Sequence, residues 1–368
     1  MDKIRILHTA DMHLGASVSN FDYEKNNIRK IEIEQTAMLI FDKCTDVDVV
    51  LLAGDIFDSG NCSERIAEMI IQKVCNLKNV HFFLACGNHD PYNSTIIRYI
   101  RKNAPDNFHV FTPDFQYITL EQLGVRVYGA SFESNYCEKS LVDVKIPCDS
   151  EYINLLCIHC ELTENGKSIY NPVSLSKIEL LGFDYAALGH VHSFSGIKRT
   201  GTLTYAYPGV HEPNGFDECG KKGYLSGFVS KGFADLTFIN CAKREYVDDY
   251  IDISDIITLS SLVRAVSEKV TDANIFRYTF TGLNRIGADI NCDFISSYAN
   301  CFYISLVDAS YIEEDFASLC DDISLKGLCA REIVNKLENA GPDEKKNILK
   351  AGRMLFNILE GKEDGVDY

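Results

Sequence analysis

Short apolar runs that stop at polar residues recur along the first half of the chain. One of them, Val49 to Leu52, is unbroken and leads into Gly54 and Asp55. Such a run predicts a strand buried on both faces, and glycine lets the backbone turn where the strand ends. Comparable patterns predict strands over residues 4–10, 80–86, 125–129, 153–158 and 185–188.

Apolar residues recur at helical spacing between these strands. Over residues 27–44 the repeat is carried by Ile28, Ile31, Met38 and Phe41, and a second helix is predicted over 64–76. Alternation of strands and helices favours a mostly parallel or mixed sheet with helices on its faces. The predicted fold class is therefore α/β.

The pattern changes after about residue 244. A helix is predicted over 258–270, strands over 276–281 and 302–306, and closing helices over 324–339 and 343–359. We therefore predict a large domain over residues 1–244, a small α+β domain over 245–340 and a C-terminal helix over 341–368. The last helix carries an apolar stripe that fits either a core within the chain or a docking surface for a partner.

Polar side chains follow the predicted strands at the points where they end. Asp11 and His13 lie two residues apart after the first strand, so they point the same way on extended backbone. Ligands bind at the carboxyl ends of the strands in α/β sheets, so we expect these polar groups to form one site. The complete set is Asp11, His13, Asp55, Asn88, His159, His190 and His192.

The chemistry of this set points to divalent cations. Its mixture of oxygen and nitrogen ligands suits Mn²⁺, Fe²⁺ or Zn²⁺ and lacks the all-oxygen character typical of Ca²⁺ sites. Seven ligands are too many for one ion and fit two ions that share Asp55 as a bridge. Two-metal sites about 3.5–4 Å across are a common device for attacking phosphoesters. A single histidine here would be explained more simply as structural, but the whole set would not.

Two further residues are candidates for catalysis. His89 follows Asn88 and would project over the open side of the site, where an imidazole can contact a phosphate and protonate a leaving oxygen. Asp58 could orient the His89 ring. An equally weighted alternative makes Asp58 the N-cap of the next helix. We expect Asp90 to be a turn residue.

The remaining histidines and the cysteines change this picture little. We assign His8, His81 and His109 to structure, and a position of His211 near the site is a less favoured alternative. The 14 cysteines are scattered, and Cys157-x-x-Cys160 has no second pair, so they read as small buried apolar residues. There is no signal peptide and no apolar run long enough to span a bilayer, so we expect a cytoplasmic protein without membrane contact.

In chain order, these motifs resemble the calcineurin-like metallophosphoesterase superfamily. Within it, several segments resemble SbcD-type DNA repair nucleases, and the match spans roughly residues 1–240. Protein phosphatases of the superfamily have Arg-Gly after the Gly-Asp-x-x-Asp motif, whereas Ser59-Gly60 follows here. The segments that carry the resemblance are Leu7–Gly15, Gly54–Asp58, Gly87–Asp90, His159, Leu188–His192, Tyr207–Gly209 and Phe216–Tyr224.

The resemblance implies a two-sheet β-sandwich flanked by helices, with residues 245–340 as a capping domain that helps to orient DNA. It implies a manganese-dependent DNA exonuclease and endonuclease that acts in repair or recombination. One ion would be held by Asp11, His13, Asp55 and His192, and the other by Asp55, Asn88, His159 and His190. His89 would contact the transition state and donate the proton.

The resemblance also implies partners: an SMC-like ATPase subunit of the SbcC type and a second copy of the chain in a homodimer. Two departures concern loop shape and substrate fit more than metal binding. The family often has a glycine after its lone histidine, where this chain has Cys160, and a proline a few residues beyond Asp58, where this chain has none.

Net charge is the strongest objection to a DNA substrate. The chain carries a formal charge of −17, whereas DNA-binding domains usually present a basic face. Residues 197–244 are the exception, with seven Lys and Arg against four Asp and Glu. Two alternatives stay open: a metallophosphodiesterase or phosphatase for a small phosphoester such as a cyclic nucleotide, and a non-catalytic scaffold with a vestigial site.

Overall fold

The computed structural model describes residues 3–18, 21–142, 145–164, 166–287, 289–312, 315–359 and 361, and the chain divides into two units, residues 1–247 and 248–368. The first unit contains, in order, β1 (Ile4–Thr9), α1 (Tyr23–Asp42), β2 (Val49–Leu52), α2 (Glu64–Asn76), β3 (His81–Leu84), α3 (Thr95–Asn103), β4 (Phe108–Val110), β5 (Gln116–Leu120), β6 (Val125–Ala130), β7 (Ile153–His159), β8 (Glu161–Leu162), β9 (Pro172–Val173), α4 (Leu175–Leu181), β10 (Tyr185–Gly189), β11 (Lys198–Thr200), β12 (Leu203–Ala206), β13 (Gly223–Ser230) and β14 (Phe233–Asn240). Next come β15 (Tyr246–Asp252), α5 (Leu259–Ser267), β16 (Ile275–Thr281), α6 (Cys292–Ser296), β17 (Tyr303–Asp308), α7 (Leu325–Asn339) and α8 (Pro342–Leu359).

Two six-stranded sheets form the centre of the first unit. The first has the order β14-β13-β1-β2-β3-β4, and the second β11-β12-β10-β7-β6-β5. The inner strands of both sheets are parallel: β1 to β4 in the first, and β12, β10, β7 and β6 in the second. The antiparallel strands are β13 and β14 at one edge of the first sheet, whose other edge is the parallel strand β4, and β11 and β5 at the two edges of the second sheet. Because the parallel strands of each sheet run in one direction, their carboxyl ends gather at one side of it.

Side chains that alternate along the strands fill the space between the two sheets. Ile6, Val49 and Phe83 of the first sheet belong to the same buried cluster as Leu155 and Ala187 of the second. The outer face of the first sheet packs against α1, α2 and α3, and that of the second packs against α4. The result is a mixed α/β fold with two sheets flanked by helices, which confirms the predicted fold class.

Most predicted elements are present, with shifted ends. The first helix begins at Tyr23 and not at residue 27, because the Asp22 side chain accepts a hydrogen bond from Lys25 N (2.9 Å) and caps the helix there. The sequence interpretation did not include α3, α4 or the antiparallel pair β13 and β14. Cys157 and Cys160 are both fully buried.

The second unit has its own sheet, in the order β15-β16-β17, with β16 and β17 parallel. Its closing helices α7 and α8 pack around Phe316, Ile333 and Phe356. The apolar stripe of α8 is divided between two environments. Ile348 and Leu349 pack against this cluster, whereas Leu355, Ile358 and Leu359 are exposed. None of the described helices combines the length and apolar character that a bilayer crossing requires.

His8 is buried between the two sheets, where both of its ring nitrogens have partners. Its Nδ1 lies 2.8 Å from the Tyr185 hydroxyl and its Nε2 lies 3.2 Å from the Leu188 carbonyl oxygen. A neutral ring that donates from Nε2 and accepts at Nδ1 satisfies both partners. Burial lowers the pKa of His8 to about 3, although the bond to Leu188 opposes it.

We predict that His8→Gln reduces the loss of stability in acid. Below pH 6.5 the unfolded chain protonates this histidine and the folded chain does not until about pH 3. The free energy of unfolding should therefore fall by up to about 1.4 kcal/mol per pH unit in the wild type. Urea unfolding at pH 7.5 and pH 5 should show a smaller difference for His8→Gln than for the wild type. Tyr185→Phe is the control, because it removes one hydrogen bond but keeps the buried imidazole; equal pH dependence in wild type and His8→Gln would contradict the prediction.

Candidate metal centre

The carboxyl ends of five parallel strands, β1, β2 and β3 of one sheet and β7 and β10 of the other, deliver the predicted ligands to one place. Backbone hydrogen bonds continue the β1–β2 pairing past the strand ends, from Asp11 N to Gly54 O (2.9 Å) and from His13 N to Asp55 O (2.9 Å). Across the sheets, His190 N donates to both oxygens of the Asp11 carboxylate (3.0 and 3.1 Å). The two sheets are therefore joined directly at this edge.

The ligand atoms form two groups that meet at Asp55. On one side, His159 Nε2 lies 3.3 Å from Asp55 Oδ2 and 3.1 Å from Asn88 Oδ1. The His190 ring lies against the His159 ring, with centroids 5.3 Å apart. On the other side, His13 Nε2 lies 4.0 Å from Asp55 Oδ2 and 3.1 Å from His192 Nε2.

Three overlapping sets of carboxylate and imidazole groups could each hold a metal ion. Their ligand atoms lie within 4.8 Å of one another, and Asp11, His13 and Asp55 each belong to two sets. Asn88 joins the site through His159, and His190 through the ring contact. The structure thus brings together all seven residues that the sequence singled out. The sets are Asp11 with His13 and His192, His13 with Asp55 and His89, and Asp11 with Asp55 and His159.

Backbone strain is concentrated at the same residues. Among the described residues other than glycine, only five have positive φ, and four of them are predicted metal ligands. Such a conformation costs on the order of 1–3 kcal/mol per residue and persists only where the surroundings enforce it. Such strain is expected at a site where the side chains must point in fixed directions, even at a cost in backbone conformational free energy. The five are Asp11 (51°), His13 (45°), Asp55 (51°), Asn171 (50°) and His190 (112°).

Asp90 is the residue that shapes the turn around Asp55. Its carboxylate is fully buried and accepts hydrogen bonds from the backbone N–H of Asp55 (3.1 Å), Ile56 (2.8 Å), Phe57 (3.2 Å) and Gly87 (2.7 Å). It thereby ties the end of β2 to the loop after β3. This agrees with the expectation that Asp90 is a turn residue, and it gives the turn a physical cause.

Gly54 leaves room for His159. At φ +90° its backbone is in a region that disfavours side chains, and a Cβ would lie 2.6 Å from His159 Nδ1. The same Nδ1 lies 3.0 Å from the Ala53 carbonyl oxygen, which orients the ring so that Nε2 faces Asp55.

The His192 ring contacts the carboxylate of Glu218, a residue to which the sequence interpretation gave no role. Its Nδ1 lies 2.5 Å from Glu218 Oε1, and Glu218 is 7% exposed. Glu218 lies 26 residues further along the chain, within a segment quoted for the family resemblance, but no local periodicity marks it as a partner. The only sequence signal was an acidic residue in the segment that follows Gly189-His190-Val191-His192.

Burial and mutual interaction shift the pKa values of the cluster strongly. Burial raises the pKa of Asp11 to about 7 and lowers that of His13 to about 4. Burial also lowers the pKa of His190 to about 4. Burial disfavours the charged forms of His159 and Asp55, but the attraction between these two groups outweighs the effect of burial. The pKa of His159 therefore rises to about 9, and that of Asp55 lies below its usual range. The hydrogen bond that His192 donates to Glu218 raises the pKa of His192.

The donor set fits divalent cations. It combines carboxylate and amide oxygens with imidazole nitrogens, which suits Mn²⁺, Fe²⁺ or Zn²⁺. Two closely spaced carboxylates, Asp11 and Asp55, are buried here with the His159 imidazole, beside half-buried histidines, and buried charges of this kind are normally paired or coordinate metals. Metal binding to such groups displaces protons, so affinity should rise with pH.

The two candidate catalytic residues lie at the mouth of an open cleft of about 460 Å³ beside the ligands. His89 is exposed, its ring centroid lies 4.7 Å from that of His13, and its backbone N–H donates to Asp55 Oδ1 (2.7 Å). No hydrogen bond joins Asp58 to His89 within the described residues. The alternative that Asp58 caps the next helix is wrong, because Ser63 is the N-cap residue of α2.

The histidines assigned to structure lie in other surroundings. His81 and His109 stack on each other at 6.2 Å, away from the ligand sets. His211 is buried, and its Nε2 lies 3.0 Å from the Ile33 carbonyl oxygen, so it belongs to the packing of α1 against the loop after β12.

Comparison with known proteins agrees with this geometry. Residues 4–194 match the calcineurin-like phosphoesterases, and the chain therefore belongs to that family of phosphoester hydrolases. The predicted superfamily is confirmed.

Individual relatives are distant. The uncharacterized metallophosphoesterase YhaO of Bacillus subtilis is 22% identical over 301 residues, which cover 78% of this chain and 70% of that protein. The DNA double-strand break repair protein Mre11 of Saccharolobus solfataricus is 28% identical over 262 residues, covering 66% of this chain and 64% of that protein. Mre11 of Methanopyrus kandleri is 26% identical over 269 residues, covering 66% and 56%. This chain thus spans less than two thirds of the length of either Mre11 protein.

We predict that Asp90→Asn destabilises the fold and weakens metal binding. The amide NH₂ group would face backbone N–H donors, leaving at least one buried donor without an acceptor, which costs about 1–3 kcal/mol. Urea unfolding should be measured at pH 8, above the pKa of about 7 to which burial raises the Asp90 carboxyl. Asp114→Asn, at an exposed carboxylate, is the matched control. Equal unfolding free energies for wild type and Asp90→Asn would contradict the role given to this residue.

Proposed function

We propose that this protein is a two-metal nuclease that hydrolyses phosphodiester bonds in DNA during repair or recombination. The observation that carries the proposal is the position of Asp55 between two groups of metal-ligating atoms. Asp11, His13, Asp55 and His192 would hold one ion, and Asp55, Asn88, His159 and His190 the other. When bound, such ions polarise a phosphoryl oxygen and supply hydroxide at neutral pH. Mn²⁺ is our first choice, with Fe²⁺ and Zn²⁺ as the alternatives.

The chain's own groups then have separate tasks. His89 stands at the open side of the cluster, where it can contact the substrate phosphate and protonate the leaving oxygen. Its backbone N–H bond to Asp55 ties its position to the shared ligand. Asp58 lines the same cleft, where its carboxylate would contact the substrate or a water molecule.

Aromatic residues beside the His190 side of the cluster support a nucleic acid substrate. The Tyr170 ring lies 4.9 Å from the His190 ring, and Tyr136 lies 6.3 Å from Tyr170 and is 63% exposed. Exposed aromatic rings stack on bases without sequence preference. The Mre11 relatives and the basic segment over 197–244 point the same way.

The acidity of the chain shapes the rest of the proposal. With a net charge of −17, the isolated chain would hold DNA weakly, and a partner would supply further grip. We propose an SMC-like ATPase of the SbcC type as that partner, the exposed end of α8 as its docking segment, and a homodimer as the working assembly. Residues 245–340 would be the capping domain that orients DNA.

The substrate class can be tested directly. Manganese-loaded protein should cleave a duplex oligonucleotide and leave a cyclic nucleotide largely intact, because only the longer substrate can reach the aromatic surface formed by Tyr170 and Tyr136. Product formation on both substrates is the measurement, and chelator-treated protein is the control. Cleavage of the cyclic nucleotide alone would favour the small-phosphoester alternative.

We predict that His89→Ala lowers kcat on the oligonucleotide by about 10²–10⁴-fold, the usual contribution of a general acid. Metal content should stay at the wild-type value, because His89, although it lies close to His13 and Asp55, belongs to neither of the two proposed sets of four ligands. His109→Gln, at a histidine away from the cluster, is the control. Unchanged kcat for His89→Ala would favour the non-catalytic alternative.

We predict a shallow salt dependence for DNA binding by the isolated chain. A chain with this charge neutralises few phosphates, so log affinity against log salt should have a slope of magnitude below about 3. Fluorescence anisotropy between 50 and 200 mM salt, about the range over which strong binders lose most of their affinity, is the measurement. A steep slope would show that the chain makes many phosphate contacts by itself.

A further inference from the structure

We propose that Arg29, on helix α1, positions the metal ligand His192 through a chain of hydrogen bonds that passes through Glu218. This relay would set the affinity of one of the two cation positions and leave the other unchanged. The inference rests on the two-cation site proposed above and adds residues that no motif in the sequence connects.

The first link is the pair His192 and Glu218. His192 Nδ1 donates to Glu218 Oε1 at 2.5 Å, so Nε2 is the nitrogen left for a cation, and it lies 3.1 Å from His13 Nε2. A carboxylate behind a metal-ligating histidine fixes its tautomer and ring orientation and makes it a more basic ligand.

The second link is the peptide unit between Pro213 and Asn214. Its N–H donates to Glu218 Oε2 at 2.7 Å, and its carbonyl oxygen accepts from Arg29 Nη2 at 3.0 Å. A peptide unit is rigid and planar, so the bond from Arg29 fixes the direction of the N–H that holds Glu218. Both oxygens of Glu218 are therefore engaged, one toward the metal ligand and one toward the relay.

The third link holds Arg29 itself. Its guanidinium is 1% exposed and donates to Glu32 Oε2 (2.8 Å) and to Glu212 Oε2 (2.9 Å). Glu212 Oε1 in turn accepts from Thr36 Oγ1 (2.7 Å) and from Lys243 N (2.6 Å). This network ties α1 to the loop that carries Glu218.

A buried ion pair of this kind is weak evidence for stability, because apolar residues of similar volume often stabilise a fold as well or better. Arginine, with its planar fork of donors, is suited to holding two carboxylates and a carbonyl in fixed directions. The network therefore fits a positioning role.

Only one of the two proposed cation positions is connected to the relay. His159 Nδ1, the nitrogen that does not face Asp55 Oδ2, lies 3.0 Å from the Ala53 carbonyl oxygen and 3.9 Å from Asp11 Oδ1. Within the described part of the chain no hydrogen bond joins it to Glu218 or Arg29. The relay should thus affect only the position formed by Asp11, His13, Asp55 and His192.

Titration of the full chain with Mn²⁺ by calorimetry tests the first link without any substrate. Glu218→Gln should weaken one of two binding events by about 10–100-fold and leave the other unchanged, because second-layer partners of ligands have effects of that size. Asp217→Asn, an exposed neighbour with the same change of charge, should match the wild type. Equal weakening of both events, or none, would overturn the inference. Wild-type protein that fails to bind two ions would overturn the proposed function as well, so the two failures are distinguishable.

Arg29→Lys tests the remote end of the relay. Lysine keeps the positive charge but cannot reach Glu32, Glu212 and the Pro213 oxygen together, so the same binding event should weaken. In the double variant with Glu218→Gln the affinity should stay within about twofold of Glu218→Gln alone, since residues that act through one another are not additive. Multiplying effects would show that Arg29 does not act through Glu218. Circular dichroism checks folding of each variant, and Glu218→Gln, which keeps the side-chain volume, decides the first link if Arg29→Lys unfolds.

Discussion

The concentration of titratable groups at one sheet edge is the constraint on which the rest of this structure depends. Asp11, Asp55 and His159 are nearly or fully buried and lie within a few ångströms of one another. Burying such groups together costs free energy. The protein alone reduces this cost only in part, by shifting their pKa values in opposite directions. Cations bound at this position would offset the remainder of the cost. Stability and chemistry are thus linked at the same atoms.

The fold provides this concentration through two independent sheets. Each has parallel strands at its centre, and each contributes strand ends to the same edge, so groups far apart in the chain come within hydrogen-bonding distance. The close approach leaves little freedom for the loops. Asp90 holds one of them by four backbone N–H groups, and four of the predicted ligands have positive φ angles, so the backbone there is strained to direct their side chains.

The fold class and the set of residues brought together at the sheet edge could be predicted from the sequence for one shared reason. A buried parallel strand is an apolar run, and the residue after it lies at the carboxyl edge of the sheet. Both features depend only on neighbouring residues in the sequence, so the apolar run from Val49 to Leu52 was enough to predict the position of Asp55. The β13–β14 pair was harder to foresee, because its exposed faces interrupt the apolar pattern. The end of a helix depends on a single cap, and Asp22 moved the start of α1 by four residues from the predicted one.

The second layer of the site could not be predicted in this way. Glu218 contacts His192, and Arg29 contacts Glu212 across more than 180 residues, without a periodicity that links them. Only packing of α1 against the loop after β12 brings these groups together. Sequence patterns are equally limited in predicting the substrate. Two cations over a shared carboxylate act on a phosphoester whatever its leaving group, so the family follows from the ligands. The choice between DNA and a small ester depends on the surfaces near the predicted ligands, such as the one that carries Tyr170 and Tyr136 beside His190.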